Sequence, residues 1–327
     1  MKPRSGWYLF PALAMAVFLA GCAPTYPKET LKESIIRLCK NEYKVDVKVR
    51  TYGRTVAIYM PLEDLMDFSF ALTPSATEKL NDVIMSVTRV VLSTDADYDF
   101  YCIIAHDVRV PEIQVIIIKY VEDVKRVFLG DISRGEFGKR MIIDMRLNPQ
   151  SQKERSIKDV FQRMGLDPKW QDQVMNEFFR SEPASMGDIG YWNGRFYIKD
   201  IMLSEFLAEQ IANRVKMEFR ENKGLADSFM LKAVRGVYAS EADGPCFKVD
   251  FLAEARGHDD GGKPGRPYDN AIRAILKVAS EVTHGYAFND FNCIEIINQA
   301  DGKSLKVPRD PLEKLRTGKL KFEEMTG

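Results

Sequence analysis

Histidine is scarce in this chain: His106, His258 and His284 are its only three. His258 is followed by Asp259 and Asp260, with Arg256, Lys263 and Arg266 close by. An imidazole and two carboxylates can take a divalent ion, and a metal-dependent hydrolase is the reaction class such a set would serve. No second ligand group stands at a recognisable spacing. Gly257, Gly261 and Gly262, with Pro264 and Pro267, make this stretch read more simply as a solvated loop. His106-Asp107 closes an expected strand, where such a pair reads as a turn rather than a catalytic couple. His284 closes an expected helix and complements its dipole, with Gly285 at the left-handed position beyond. Asp95, Asp97 and Asp99 open like a calcium loop, but Phe100 and His106 stand where an EF-hand needs Gly and Glu. No G-x-S-x-G elbow, H-E-x-x-H pair, P-loop or G-x-G-x-x-G occurs, so neither a catalytic set nor a cofactor is implied. Tyr191-Trp192, Phe196-Tyr197 and the trio Tyr286, Phe288 and Phe291 read as core aromatics, a glycan- or peptide-binding face being the alternative.

Cys22 is the remaining chemical candidate. Lys2 and Arg4 precede an uncharged, mostly apolar stretch over 8–20, and Leu19-Ala20-Gly21-Cys22 closes it. The stretch is too short for a helix spanning a hydrocarbon core of about 30 Å. It resembles the leader of bacterial lipoprotein precursors, with Leu19-Ala20-Gly21-Cys22 as the lipobox. The resemblance covers residues 1–22 only. It implies a thioether-linked diacylglycerol on the Cys22 sulfur, cleavage between Gly21 and Cys22, and acylation of the new amino terminus. Several acyl chains at about 0.8 kcal/mol per buried CH₂ hold a protein stably at a bilayer. Ala23, where Asp would favour inner-membrane retention, implies the outer membrane with the body in the periplasm.

Loss of residues 1–21 removes Lys2 and Arg4 and no acid, leaving 45 basic against 47 acidic residues and a net charge of −2. That balance excludes a generic nucleic-acid binder. A hydrophobic content of 45% with 29% charged residues fits a globular body. An exported chain can form disulfides, and Cys39, Cys102, Cys246 and Cys293 allow three pairings. Cys102 and Cys293 lie in apolar, strand-like runs, and the four read as free thiols.

The elements that must position any site follow from periodicity. Residues 22–28 form a tether. A helix is expected over 29–41, strands over 44–50 and 54–60, and a helix opening at Thr73-Pro74. Strands over 98–105 and 112–119, a helix over 120–129 and a strand over 139–146 complete the first unit. Two short helices over 156–164 and 168–179 and a turn-rich 181–194 connect the units. The second unit has a helix over 203–221, strands over 229–238 and 246–253, and a helix over 268–283. A strand over 287–298, a return strand over 303–307 and a helix over 311–317 close it. Asp99-Phe100-Tyr101-Cys102-Ile103 and Asp290-Phe291-Asn292-Cys293-Ile294 match at the same place in each order. The expectation is an α+β fold: two related α-β-β-α-β-β-α domains, residues 29–147 and 201–327, joined by a helical segment over 148–200. Their sheets would be antiparallel or mixed and covered by helices.

One further resemblance lies in the first unit. Leu72-Thr73-Pro74-Ser75-Ala76 opening a helix, then Ile103-Ile104-Ala105-His106-Asp107, is similar to the start of OmpA-like peptidoglycan-binding domains. That resemblance implies Asp107 as a ligand-binding acid. The Asn and the L-S-x-x-R-A segment of those domains are missing after Asp107. The function expected is therefore a lipid-anchored envelope protein, without catalysis, that holds an envelope protein partner. A peptidoglycan- or glycan-binding module is the second expectation and the metal-dependent hydrolase the third.

Overall fold

The computed structural model describes residues 25–178, 183–256 and 268–326. Gly21 and Cys22, and with them the lipobox, lie outside the described residues, as do His258, Asp259 and Asp260.

Helix α1 (Leu31–Tyr43) leads into β1 (Lys48–Tyr52), which pairs antiparallel with β2 (Thr55–Leu62). Thr73 caps α2 (Pro74–Leu92) by accepting from the Ala76 N–H, with Pro74 at the first helical position. The helix crosses over to β3 (Phe100–Asp107), which therefore lies parallel to β2. β4 (Val110–Tyr120) returns antiparallel, α3 (Val121–Leu129) and α4 (Arg134–Arg140) follow, and β5 (Ile142–Leu147) completes a five-stranded sheet in order β1-β2-β3-β4-β5. Residues 134–140 are thus helical, and the strand expected over 139–146 begins only at Ile142.

Helices α5 (Pro149–Met164) and α6 (Pro168–Phe178) form the connecting segment. The turn-rich stretch also holds a hairpin, β6 (Gly190–Trp192) and β7 (Arg195–Tyr197). Buried Gln114 on β4 docks that hairpin as a strand would: its Nε2 donates to the Tyr191 carbonyl and its Oε1 accepts from the Tyr191 N–H.

In the second half, α7 (Leu203–Glu221) and α8 (Lys223–Ser228) lead into β8 (Phe229–Glu241) and β9 (Gly244–Ala255). Helix α9 (Asp269–Gly285) crosses over to β10 (Cys293–Asn298), and β11 (Lys303–Pro308) and α10 (Arg309–Arg316) end the unit. The order β11-β10-β9-β8 has antiparallel, parallel and antiparallel neighbours, the same senses that run through β4-β3-β2-β1. The fold is α+β with two mixed sheets covered by helices.

Strand alternation decides what each face meets. Val56, Ile58, Met60, Tyr101, Ile103 and Val115 turn one face of the first sheet to α1 and α2. Ala57, Tyr59, Phe100, Cys102, Ile104 and Ile116 turn the other face into a cluster shared with Phe206, Leu207 and Ile211 of α7 and with Phe247, Val249 and Phe251 of the second sheet. Helix α7 is therefore buried on two sides, between sheets. The far face of the second sheet is an ionic lattice in which Lys248 pairs with Glu241 and Glu295, and Lys306 with Glu241 and Asp243.

Two expectations are corrected here. Cys246 and Cys293 are joined as a disulfide between register partners on parallel β9 and β10, while Cys39 and Cys102 are free and buried. Spacing along the chain gave no hint of that pairing, because the crossover helix separates the partners by 47 residues. The equivalent pair in the first sheet is Ala57 and Cys102, so only one half can close the bond. The left-handed residue after α9 is Ala287 (φ 49°), not Gly285, which lies within the helix.

Lys119 is a cost built into the first sheet. It is buried, its Nζ lies 4.9 Å from the Phe137 ring centre, and burial alone lowers its pKa from 10.5 to about 8. The unfolded chain therefore binds more protons than the folded one between those values, and wild-type stability should rise with pH across that window. Lys119→Met is expected to stabilise the protein by about 2–3 kcal/mol at pH 7. In urea titrations that advantage should shrink between pH 8 and pH 10.

Candidate functional site

Parallel strands β2 and β3 end together at Leu62 and Asp107, beside the start of α2. Ligand sites in sheets with crossover helices gather beyond such strand ends. A groove of about 790 Å³ lies there, walled by Asp64, Phe68, Phe70, Pro74, Arg109 and Val110. The 63–73 loop builds its outer wall. Asp67 Oδ1 accepts from the Ser69 N–H (2.8 Å), the Ser69 hydroxyl (2.6 Å) and the Ala71 N–H (3.1 Å). The Asp67 N–H donates to the Ala71 carbonyl at 2.9 Å, and Met66 bridges to Leu72. These bonds hold the Asp67 carboxyl below its usual pKa, with the Ser69 hydroxyl as the main cause. They also hold Phe70 at φ 61°, a region that bulky side chains rarely adopt and that costs of order 1–3 kcal/mol. The outcome is a braced turn carrying Phe68 and Phe70 into solvent. Val108 and Val110 stand exposed on the neighbouring β3–β4 turn.

Asp107 forms the floor. It is buried, and its carboxylate accepts from the Arg109 Nη2 (2.9 Å), Nε (3.1 Å) and N–H (2.9 Å) and from the Leu65 N–H (3.1 Å). The Arg109 side chain is the main cause of its pKa falling to about 2. Arg109 also reaches Asp64 at 3.1 Å. Asp107 lines the groove, and its oxygens are held by its own chain. Its stabilising effect is present above the ordinary carboxylate pKa of 3.8 and lost as pH falls through about 2. Arg109→Ala is expected to lower the urea midpoint at pH 6 modestly, because water screens the exposed guanidinium, and to move the acid loss to higher pH. Urea midpoints at pH 6 and pH 3 check both.

The other candidates fall elsewhere. His106 and Asp107 point to opposite faces of β3, so they form no couple. The His106 Nε2 lies 3.0 Å from the Tyr59 hydroxyl, and burial lowers the imidazole pKa despite the Asp107 charge. Tyr59 stacks on Tyr191 at 3.6 Å and is pushed up to about 12 by burial. Asp97 and Asp99 both clamp Arg54 at 2.8 Å, and Asp95 accepts from the Lys28 N–H. Among the described residues no group of three or more His, Cys, Asp or Glu is placed to hold a metal. The carbonyls of His284 and Gly285 serve the chain itself, accepting from Ala287 N–H and from Arg126 and Arg140 respectively. Sequence reasoning missed the 63–73 loop. Its signal was Asp67-Phe68-Ser69-Phe70, two aromatics inside a turn-forming run.

No family model matches the chain, and no curated protein or solved structure is significantly similar to it.

Proposed function

We propose that this chain is a lipid-anchored envelope protein that carries an apolar docking tip for a protein partner away from its membrane. The observation that carries the proposal is the position of the tip relative to the tether. The Tyr26 N–H donates to the Ser93 carbonyl, just beyond the end of α2, and the groove opens at the other end of that helix. Nineteen residues of helix separate the two by about 28 Å. Cys22 lies four residues before Tyr26 and so within about 14 Å of that pinned point. An anchor on Cys22 would set the body close to the bilayer with Phe68 and Phe70 on the far side. Leu147 ends exposed at the same far end, beside Val108 and Val110 of the β3–β4 turn. Exposed apolar groups gathered at one end fit a protein-docking surface. The disulfide fits an exported body. No helix among the described residues is long and apolar enough to cross a membrane.

The test has two arms. Cys22→Ser is expected to release the protein from the membrane fraction, with the leader uncleaved by mass; unchanged membrane retention overturns the anchor. A photocrosslinker at position 68 should trap one discrete partner in the native envelope, and Phe70→Ser should abolish that adduct. A crosslinker at Lys248 on the ionic face should give none. Equal adducts from both positions overturn the docking tip.

A further inference from the structure

A second pocket lies far from the groove in sequence and carries the opposite character. It occupies about 440 Å³ between the end of α7, α8 and the start of β8. That size is within the range of small-molecule sites. Lys216, Arg220, Lys232 and Arg256 line it, over a floor that includes Phe219 and Leu231. No acid lines it among the described residues, although the chain has as many acids as bases overall. The described acids that pair with these cations stand outside the lining. Arg220 meets Glu221 at 3.5 Å and Lys232 meets Glu254 at 3.2 Å, both at exposed positions. Lys216 donates to the neutral Oδ1 of Asn213 at 3.2 Å and stabilises the Glu209 carboxylate from a distance. The ionic face of the second sheet differs: there Lys248 and Lys306 share Glu241, and cation and anion alternate.

Four like charges around one cavity repel each other and raise its potential, which costs folding free energy and draws in an anion. The apolar floor adds a second requirement. Phe219 and Phe229 are buried with their rings 6.3 Å apart, so an aromatic wall meets the cationic rim. Neither a bare anion nor an uncharged hydrophobe uses both halves of such a surface. We infer that this pocket binds an amphipathic anion, with a phosphate or carboxylate head among Lys216, Arg220, Lys232 and Arg256 and an apolar chain against Phe219 and Leu231. The inference stands on the pocket alone and does not depend on the docking tip. An anionic lipid and a free alkyl phosphate or fatty acid share this chemistry.

The chain from residue 22 with Cys22→Ser keeps every described residue and serves as the protein. Titration calorimetry with octyl phosphate below its micellar concentration should give saturable one-to-one binding. Octyl glucoside and inorganic phosphate should each bind at least tenfold more weakly. The double variant Lys216→Gln, Arg220→Gln should lose at least tenfold in affinity, while Lys248→Gln on the ionic face should lose nothing. Equal binding of octyl glucoside, or undiminished binding by the double variant, overturns the inference, and so does no binding of octyl phosphate. Circular dichroism of each variant separates lost binding from lost folding. Cosedimentation with phosphatidylglycerol and with phosphatidylcholine vesicles then distinguishes the sources. Retention only on the anionic vesicles assigns a bilayer lipid, and retention on neither assigns a free amphiphile.

Discussion

Gly236→Ala is expected to destabilise the protein by at least about 3 kcal/mol, the upper end of the overpacking range. Gly236 lies mid-strand in β8, directly beneath α7. A Cβ there would fall 1.9 Å from the Ala208 carbonyl oxygen and 2.7 Å from its carbon. Both are backbone atoms of a buried helical turn, so no rotamer change relieves the overlap. The helix cannot retreat either, because its opposite side packs Phe206 against Phe100 of the first sheet at 5.1 Å. The φ of Gly236 is not in the left-handed region, so the cost is one of space and not of backbone conformation. Gly302→Ala is the matching control. Gly302 has φ 69° with open space at its Cβ position, and its replacement should cost only about 1–2 kcal/mol. Urea unfolding of both variants checks the pair. A loss under about 1 kcal/mol at Gly236, below that range, would mean that α7 is free to slide between the sheets.

This close approach also explains what could be read in the chain. Helix α7 was legible to its last residue because Leu207, Ile211, Val215 and Phe219 recur at helical spacing. Its second buried side, with Phe206 and Gln210, was visible only once two sheets were in place. The crossover helices and most strands followed from periodicity, offset by a few residues at strand ends. Helix α4 was not legible. Arg134-Gly135-Glu136-Phe137-Gly138-Lys139-Arg140 has no apolar period, and its helix rests on the Ser133 cap and on ionic contacts to distant residues. The β6–β7 hairpin did carry a signal. Asn193-Gly194 lies between Tyr191-Trp192 and Arg195-Phe196, the pairing that suits a two-residue turn. Of the candidate site, Asp107 was named from a motif. Its neighbour Arg109 and the braced 63–73 loop depend on which side chains the strand ends bring together, which no local pattern encodes.

The contacts that made α4 illegible make its last residue the second large effect. Arg140 is buried, with Nη1 on Asp123 Oδ1 at 2.8 Å, Nε on Glu136 at 2.9 Å and Nη2 on the Gly285 carbonyl at 3.2 Å. Its guanidinium lies 4.5 Å from the Tyr286 ring centre, and the Tyr286 hydroxyl donates to Asp123. Arg214 of α7 completes the set through Glu136 at 2.7 Å. Asp123 and Glu136 belong to the first half, Arg214, Gly285 and Tyr286 to the second, so one guanidinium ties the halves together. Arg140→Ala leaves the buried Asp123 without its cation and should cost about 3–5 kcal/mol. Arg140→Met with Asp123→Leu removes both charges and should recover at least half of that loss, since an unpaired buried charge destabilises more than an absent pair. If the double variant is as unstable as Arg140→Ala, the guanidinium acts through its packing on Tyr286 and the ionic account is wrong. Hydrogen exchange adds the location. Amides of α9 near Gly285 and of α3 should lose protection in Arg140→Ala before those of β9 and β10, which the disulfide and their own ladder still hold. Loss of protection in all of these segments together would show instead that the halves unfold as one unit, with the charge network merely one of its many contacts.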